Sequence, residues 1–232
     1  MYEAVRVAAE GRTTPARFGA TVADAGFDGV VLAADASSPV DVDPEPIADE
    51  YGIDVVAGIE VTAREKGQVA SAVSDRRDET AALLVRGGVP EINRYAVETP
   101  TVDVLRDPMA GEGDVNHVLV KAAVENDVRI EVSLGRVLRA SGGPRVQALR
   151  DLRKLVDLLE HFEAPFAVSA DPRVHLDVRG PRALLALGDR IGLDAQMVRE
   201  GLEEWETIVA ENRERLSPEA IAAGIRRGRY DG

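Results

Sequence analysis

Arginines and carboxylates stand at the ends of the short apolar runs of this chain, a placement suited to anion binding or proton transfer. Arg86 follows Ala82–Val85 and precedes Gly87-Gly88, and Arg106 follows Thr101–Leu105. Two guanidiniums at neighbouring strand ends could clamp a phosphate, because each matches two oxygens at once. Alternatively they pair with carboxylates on the same rim, such as Asp107 or Glu60. Asp114, His117 and Lys121 are spaced i, i+3 and i+7, so they share a face of any helix that contains them. The imidazole could contact RNA or act as an acid or base there, or simply lie on the surface. Ser141-Gly142-Gly143-Pro144-Arg145 leads into a run bearing Arg150, Arg153 and Lys154. Free amides at a helix start attract anions, although Pro144 removes one donor, and a plain surface loop reads more readily from these residues.

Other chemistries lack their residues. Cysteine is absent, which excludes disulfides, thiolate nucleophiles and Cys-ligated zinc. The only histidines are His117, His161 and His175, and the first strand offers Val5-Arg6-Val7-Ala8, with no metal ligand. Glu60 and Asp171 alone cannot hold a multi-metal centre, so the inventory argues against a metallohydrolase. No nucleophile elbow and no phosphate-cradling glycine loop with its lysine is present. A small-molecule enzyme using Glu60 or Asp171 as base would need an enclosed pocket at the strand ends.

Seven apolar runs recur at regular intervals: Ala4–Ala8, Gly29–Ala33, Asp54–Ile59, Ala82–Val85, Thr101–Leu105, Arg129–Val132 and Pro165–Val168. They lack strict alternation, as parallel strands buried on both faces should. Helical patterns separate them: Pro15–Ala25, Pro44–Tyr51, Arg64–Arg77, Glu91–Glu98, Asp114–Asn126, Pro144–Phe162, Pro181–Ile191 and Ala195–Arg215. In Asp114–Asn126 the expected apolar face is Val115, Val118, Leu119 and Ala122. Gly26, Gly52 and Gly192 follow helices and suit left-handed caps. Such alternation implies a parallel sheet with its chemistry at the strands' carboxyl ends, in an α/β, TIM-barrel-like (β/α) barrel. One domain over 1–232 is expected, with Ser217–Gly232 a partly ordered tail carrying Arg226, Arg227 and Arg229.

At 232 residues, 45% hydrophobic and 30% charged, the chain can bury a full core. No apolar run is membrane-length and Met1–Gly11 lacks a secretory apolar core, so a cytoplasmic location is expected. The formal net charge is −13, and of 28 basic residues only Lys66, Lys121 and Lys154 are lysines. That bias points to a protein adapted to concentrated salt, where self-repulsion is screened, though a GC-rich genome also favours arginine. Overall acidity argues against non-specific nucleic-acid binding without excluding a local arginine patch.

The chain resembles the archaeal ribonuclease P protein component 3 family, which has a eukaryotic counterpart. The resemblance rests on Val85-Arg86-Gly87-Gly88 with Asn93-Arg94, Val102-Asp103-Val104-Leu105-Arg106-Asp107-Pro108 and Val115-Asn116-His117. It continues through Ile130-Glu131-Val132-Ser133-Leu134, the helix from Arg145, and Ala167-Val168-Ser169-Ala170-Asp171. It implies a barrel related to the polymerase-and-histidinol-phosphatase (PHP) phosphoesterases with the metal chemistry lost. It also implies a subunit of the ribonucleoprotein that removes 5′ leaders from precursor tRNA. In that family the RNA and its Mg2+ cut, and no cofactor or metal is bound by the protein itself. The implied partners are RNase P RNA, precursor tRNA, a second RNase P protein subunit paired with this one and other RNase P proteins, with no membrane. The expected RNA or partner contacts are Arg86, Arg106, His117, Lys121 and Arg145, with no catalytic residue. The rival expectation is an autonomous metal-dependent PHP-like phosphoesterase.

Overall fold

The computed structural model describes residues 1–8 and 11–217, together with the backbone of 220–222 and 225–226. Seven strands form one parallel sheet in chain order: β1 (Tyr2–Val7), β2 (Gly29–Asp35), β3 (Asp54–Val61), β4 (Leu83–Arg86), β5 (Val104–Arg106), β6 (Arg129–Ser133) and β7 (Phe166–Ser169). Each pairs with the next, and the sheet curls into a nearly closed barrel. Around it run α1 (Pro15–Asp24), α2 (Pro44–Tyr51), α3 (Lys66–Arg76), α4 (Pro90–Val97), α5 (His117–Asn126), α6 (Gly135–Arg139), α7 (Gly142–His161), α8 (Pro181–Ile191) and α9 (Ala195–Leu216). Ala220–Ala222 (β8) and Ile225–Arg226 (β9) form a separate antiparallel pair. The expected tail otherwise lies outside the described residues.

Helix ends follow local chemistry. Thr14 caps α1 by accepting the Arg17 N–H, with Pro15 pre-set for the first turn. Gly52 closes α2 at φ 65° and Gly192 closes α8 at φ 84°, backbone that costs glycine little. The helix expected from Asp114 starts instead at His117. Asn116 is its cap, because its Oδ1 accepts the Val118 and Leu119 N–H groups at 3.0 and 3.1 Å. The expected apolar face shifts with it. Val120 and Ala123 are buried, whereas Val118 is 59% exposed.

Period-two alternation sorts the strand residues. Val5, Leu32, Val55, Leu83, Leu105, Ile130 and Val168 face outward into the helical layer. Ala4, Val31, Ala33, Val56, Leu84, Val104 and Ala167 form the inner core with Trp205, Ile208 and Val209 of α9. Further along β1, β3, β4, β5 and β7 the inward positions turn polar: Arg6, Glu60, Arg86, Arg106 and Ser169. The barrel is thus apolar below and charged at its mouth.

No ladder joins β1 to β7 among the described residues. Arg6 N–H reaches Pro172 O at 2.9 Å, and the buried Glu3 carboxylate accepts the N–H groups of Ala4 (3.0 Å) and Ala170 (3.1 and 3.2 Å). Helix α9 covers this seam. A side chain on Gly201 would collide with Val168, so glycine lets the helix lie against β7. Trp205 donates from Nε1 to Val168 O at 2.8 Å. Further on, Arg213 grips Asp54 at the start of β3 at 2.6 and 2.7 Å, and Arg215 donates to Thr80 O.

Candidate functional site

Arg106 sits at the centre of the mouth with no exposed surface. Its Nε donates to Glu131 Oε1 at 3.0 Å, and its Nη2 crosses the barrel to Ala4 O at 2.9 Å and lies 3.2 Å from Asp171 Oδ1. Glu60 stands 3.8 Å from its Nη1. Around this centre Arg6 donates to Asp171 at 2.9 Å and faces Glu60 at 3.5 Å, and Arg86 also pairs with Glu60. Arg86 further approaches Asp107 at 3.6 Å, and Arg139 donates to the Asp171 carboxylate and to its carbonyl, each at 2.7 Å. Four guanidiniums thereby interleave with four carboxylates.

Backbone geometry serves the same network. Asp107 and Asp171 follow β5 and β7 with φ of 49° and 46°. Left-handed backbone at a non-glycine residue costs on the order of 1 kcal/mol. It turns the Asp107 N–H onto Glu131 Oε2 at 2.9 Å and the Asp171 N–H onto Ser169 Oγ at 3.0 Å. Ser169 in turn donates to Glu131 Oε1 at 2.6 Å. The next loop is wired just as closely. Asn93 donates to Pro108 O and Asp114 O, and Arg136 donates to Met109 O at 2.6 Å.

Protonation follows from burial and partners. For Arg106, burial alone favours the neutral form, but Glu131, Glu60 and Asp171 outweigh it and hold the guanidinium above its ordinary pKa. Burial pushes Asp171 up, but Arg106, Arg6 and Arg139 together bring it down to about 2. Desolvation wins at Glu131, which is raised despite Arg106. Burial also raises Glu3 to about 8, against the pull of the Ala170 N–H and Arg106.

The five residues expected as contacts are spread over different surroundings. Arg106 has no exposed surface, so its guanidinium lies inside the mouth. Arg86 is mostly covered and engaged by Glu60 and Asp107, the carboxylates weighed as its alternative partners. His117, Lys121 and Arg145 are exposed and lie away from the network. Lys121 Nζ rests 5.5 Å from the Phe162 ring centre, and Arg145 Nε donates to Ala140 O at 2.6 Å. Asp114 lies before α5 and pairs with Lys154, so it does not share a helix face with His117 and Lys121. Glu3, Arg6, Glu131 and Arg139 were not anticipated. The available signal was a charge at an inward position of an apolar strand, as in Val5-Arg6-Val7 and Ile130-Glu131-Val132.

The cavity bordered by Asp107, Glu131, Ser133, Arg136 and Asp151 measures about 20 Å³, room for a water and not for a metabolite. Among the described residues no three His, Cys, Asp or Glu side chains are arranged to hold a metal ion. The donor set does not fit one either: the converging carboxylates Glu60, Glu131 and Asp171 already enclose a guanidinium.

Residues 1–217 match the family model described as RNase P subunit p30. The chain belongs to that family. Ribonuclease P protein component 3 of Haloarcula marismortui is 50% identical over 226 residues, covering 97% of this chain and 96% of the relative. The Halobacterium salinarum protein of the same name is 47% identical, covering 100% and 99%. In three dimensions the p30-family chain is similar to a chain of a cryo-EM structure of archaeal ribonuclease P with mature tRNA. The TM-score is 0.83 at 21% identity, with both chains fully covered. A prolidase is similar at TM-score 0.54 and 9% identity, covering 97% of this chain and 77% of that one, a likeness of barrel fold alone. This p30-family barrel thus carries an arginine–carboxylate cluster at the strand ends, where barrel enzymes place their chemistry. Among the described residues no helix is long and apolar enough to cross a membrane.

Proposed function

We propose that this chain works as a protein subunit of ribonuclease P in removing 5′ leaders from precursor tRNA, supporting the catalytic RNA without cutting bonds itself. The observation that carries the second half is the closed network at the mouth. Arg6, Arg86, Arg106 and Arg139 offset the charge of Glu60, Asp107, Glu131 and Asp171, and a buried carboxylate held by guanidiniums is a poor base or metal ligand. Such a cluster instead fixes the loops above it, as with Asp107 held through Glu131.

The contacts fall to exposed side chains on that frame. His117, Lys121 and Arg145 face solvent on α5 and the start of α7, within reach of RNA phosphates or a second protein subunit. The acidic, lysine-poor composition fits life in concentrated salt. There counterion release supplies little affinity, and bidentate arginine contacts gain in relative weight.

The test is reconstitution of ribonuclease P from its RNA and proteins with and without this chain, assayed on precursor tRNA across a Mg2+ titration. Omission should raise the Mg2+ requirement or slow cleavage, while the isolated chain with Mg2+ or Mn2+ cuts neither precursor tRNA nor a generic phosphoester. Cleavage by the isolated chain would overturn the reading.

A further inference from the structure

Between β7 and α8 the chain runs down the outside of α1. At the mouth, Thr13 meets the short turn His175–Asp177. Its Oγ1 accepts the His175 N–H and bonds His175 Nδ1, both at 3.1 Å. At the far end of α1, Gly180 lies so close that a Cβ there would stand 2.5 Å from Ala25 O. Residues 175–180 therefore follow the length of α1, about 15 Å for its ten residues.

Arginines mark this track from end to end. Arg12 precedes the cap of α1, Arg173 follows β7, Arg179 stands at the lower end and Arg182 lies in the first turn of α8; all four are exposed. Among the described residues Arg12 and Arg182 have no carboxylate partner, and Arg173 has only Asp171 at 3.7 Å. Asp171 is already surrounded by Arg6, Arg106 and Arg139, so it cannot offset Arg173 as well. Arg179 spends Nη1 on Leu176 O and Val178 O at 2.8 Å, which leaves its remaining N–H groups to solvent. Asp177 is the one acid from 172 to 182, and its Oδ2 accepts the Arg173 N–H at 3.1 Å.

This surplus belongs to a chain of net charge −13. Acidic side chains concentrate elsewhere, twelve against four basic ones across 35–80, the stretch of α2 and α3. A polyanion is repelled there and drawn to the α1–α8 side. In concentrated salt diffuse attraction is screened, and the contacts that survive are direct ones from guanidinium to phosphate. None of the three lysines lies on the track. Midway along it Leu176 is 73% exposed. One apolar side chain among cations does not make a protein-interface core, which is apolar and depleted of charge. It suits a nucleic-acid surface, which is polar and positively charged.

We propose, on the ribonuclease P reading above, that the arginine track along α1 seats a stretch of RNA backbone. Arg12 and Arg173 hold it at the mouth, Arg179 and Arg182 hold it at the lower end, and Leu176 meets a sugar or base between them. Such a length passes several successive phosphates of one strand.

The test reads how tightly this chain joins the reconstituted particle across a KCl titration. Arg12→Gln and Arg182→Gln should each reduce the slope of log affinity against log salt by about one, and the pair by about two, with unfolding midpoints unchanged. Arg64→Gln with Arg199→Gln removes the same charge from exposed positions off the track and should leave the slope as it was. In parallel, the absence of native cysteine allows an aryl-azide photoprobe at Leu176→Cys. It should label RNA roughly fivefold or more above the same probe at Gln68→Cys on the acidic α3 side. Equal slopes for track and control variants overturn the proposal. So does a Leu176→Cys probe that labels a protein subunit instead of RNA, which would assign the track to that subunit. In both cases a particle that still needs this chain for cleavage keeps the subunit reading intact. A particle indifferent to omission of the chain overturns both.

Discussion

Arg106 Nε and Glu131 Oε1 meet at 3.0 Å with neither side chain reaching solvent. A buried pair of this kind is worth little net against apolar replacements, but breaking it from one side strands a charge. Arg106→Ala should therefore cost about 3–5 kcal/mol in urea unfolding. The double change Arg106→Met with Glu131→Met should cost clearly less than the sum of its two single changes. Additive losses would show that the two side chains are not coupled in this way.

That relationship also marks how far the sequence could be read. Six of the seven strands and the helices Pro44–Tyr51 and Pro181–Ile191 lie close to where periodicity, capping and glycine placement put them, because those signals are local, whereas the strand expected over Thr101–Leu105 is Val104–Arg106. Arg106 was visible as a strand-end arginine, but not the distinction between a guanidinium aimed at solvent and one aimed into the lumen. Its inward direction depends on strand register and on where β5 ends, Arg106 being that strand's last residue. Arg139 was illegible for a different reason. It reaches Asp171 from the short helix α6, across 32 residues of sequence, and nothing near either residue announces the contact. The start of α5 was misplaced because Asp114 and Asn116 are both good caps, and only the tertiary tie of Asp114 to Lys154 and of its carbonyl to Asn93 decides between them.

Trp205 is the only tryptophan and is fully buried against β7 and the inner core. Trp205→Ala should cost about 3–5 kcal/mol through the cavity it leaves. Trp205→Phe keeps much of the volume but orphans Val168 O, and should cost about 1–2 kcal/mol. Denaturant titration followed by circular dichroism measures both. Equal losses in the two variants would assign the whole effect to the hydrogen bond.

Acid and alkali should act on different sides of the barrel. Asp171 is lowered to about 2, so the stability it contributes is present above its unfolded pKa near 4 and is lost as pH falls toward 2. Glu3 is raised to about 8, so the folded state favours its neutral form. Its contribution is complete below its unfolded pKa of about 4.5 and is lost as pH rises through 8, on the order of 2–4 kcal/mol. Glu3→Gln retains an oxygen to accept the Ala4 and Ala170 N–H groups and cannot ionise. Its unfolding midpoint should therefore fall less than that of the parent chain between pH 5 and about 9. Parallel pH profiles for the two proteins would remove Glu3 from the account.

The buried and exposed arginines should separate in the salt dependence of RNA binding. Arg145 and Lys121 are exposed, so Arg145→Ala and Lys121→Ala should leave the unfolding midpoint within about 0.5 kcal/mol of the parent. If each meets one phosphate, each loss should reduce the slope of log affinity against log salt by about one, measured on the reconstituted particle. Arg106→Lys should do the reverse. It keeps the charge but not the fork that spans Glu131, Ala4 O and Asp171, so stability should fall while the salt slope of the folded fraction stays fixed. A changed slope for Arg106→Lys would place its guanidinium at the RNA after all and would require the mouth to open on assembly.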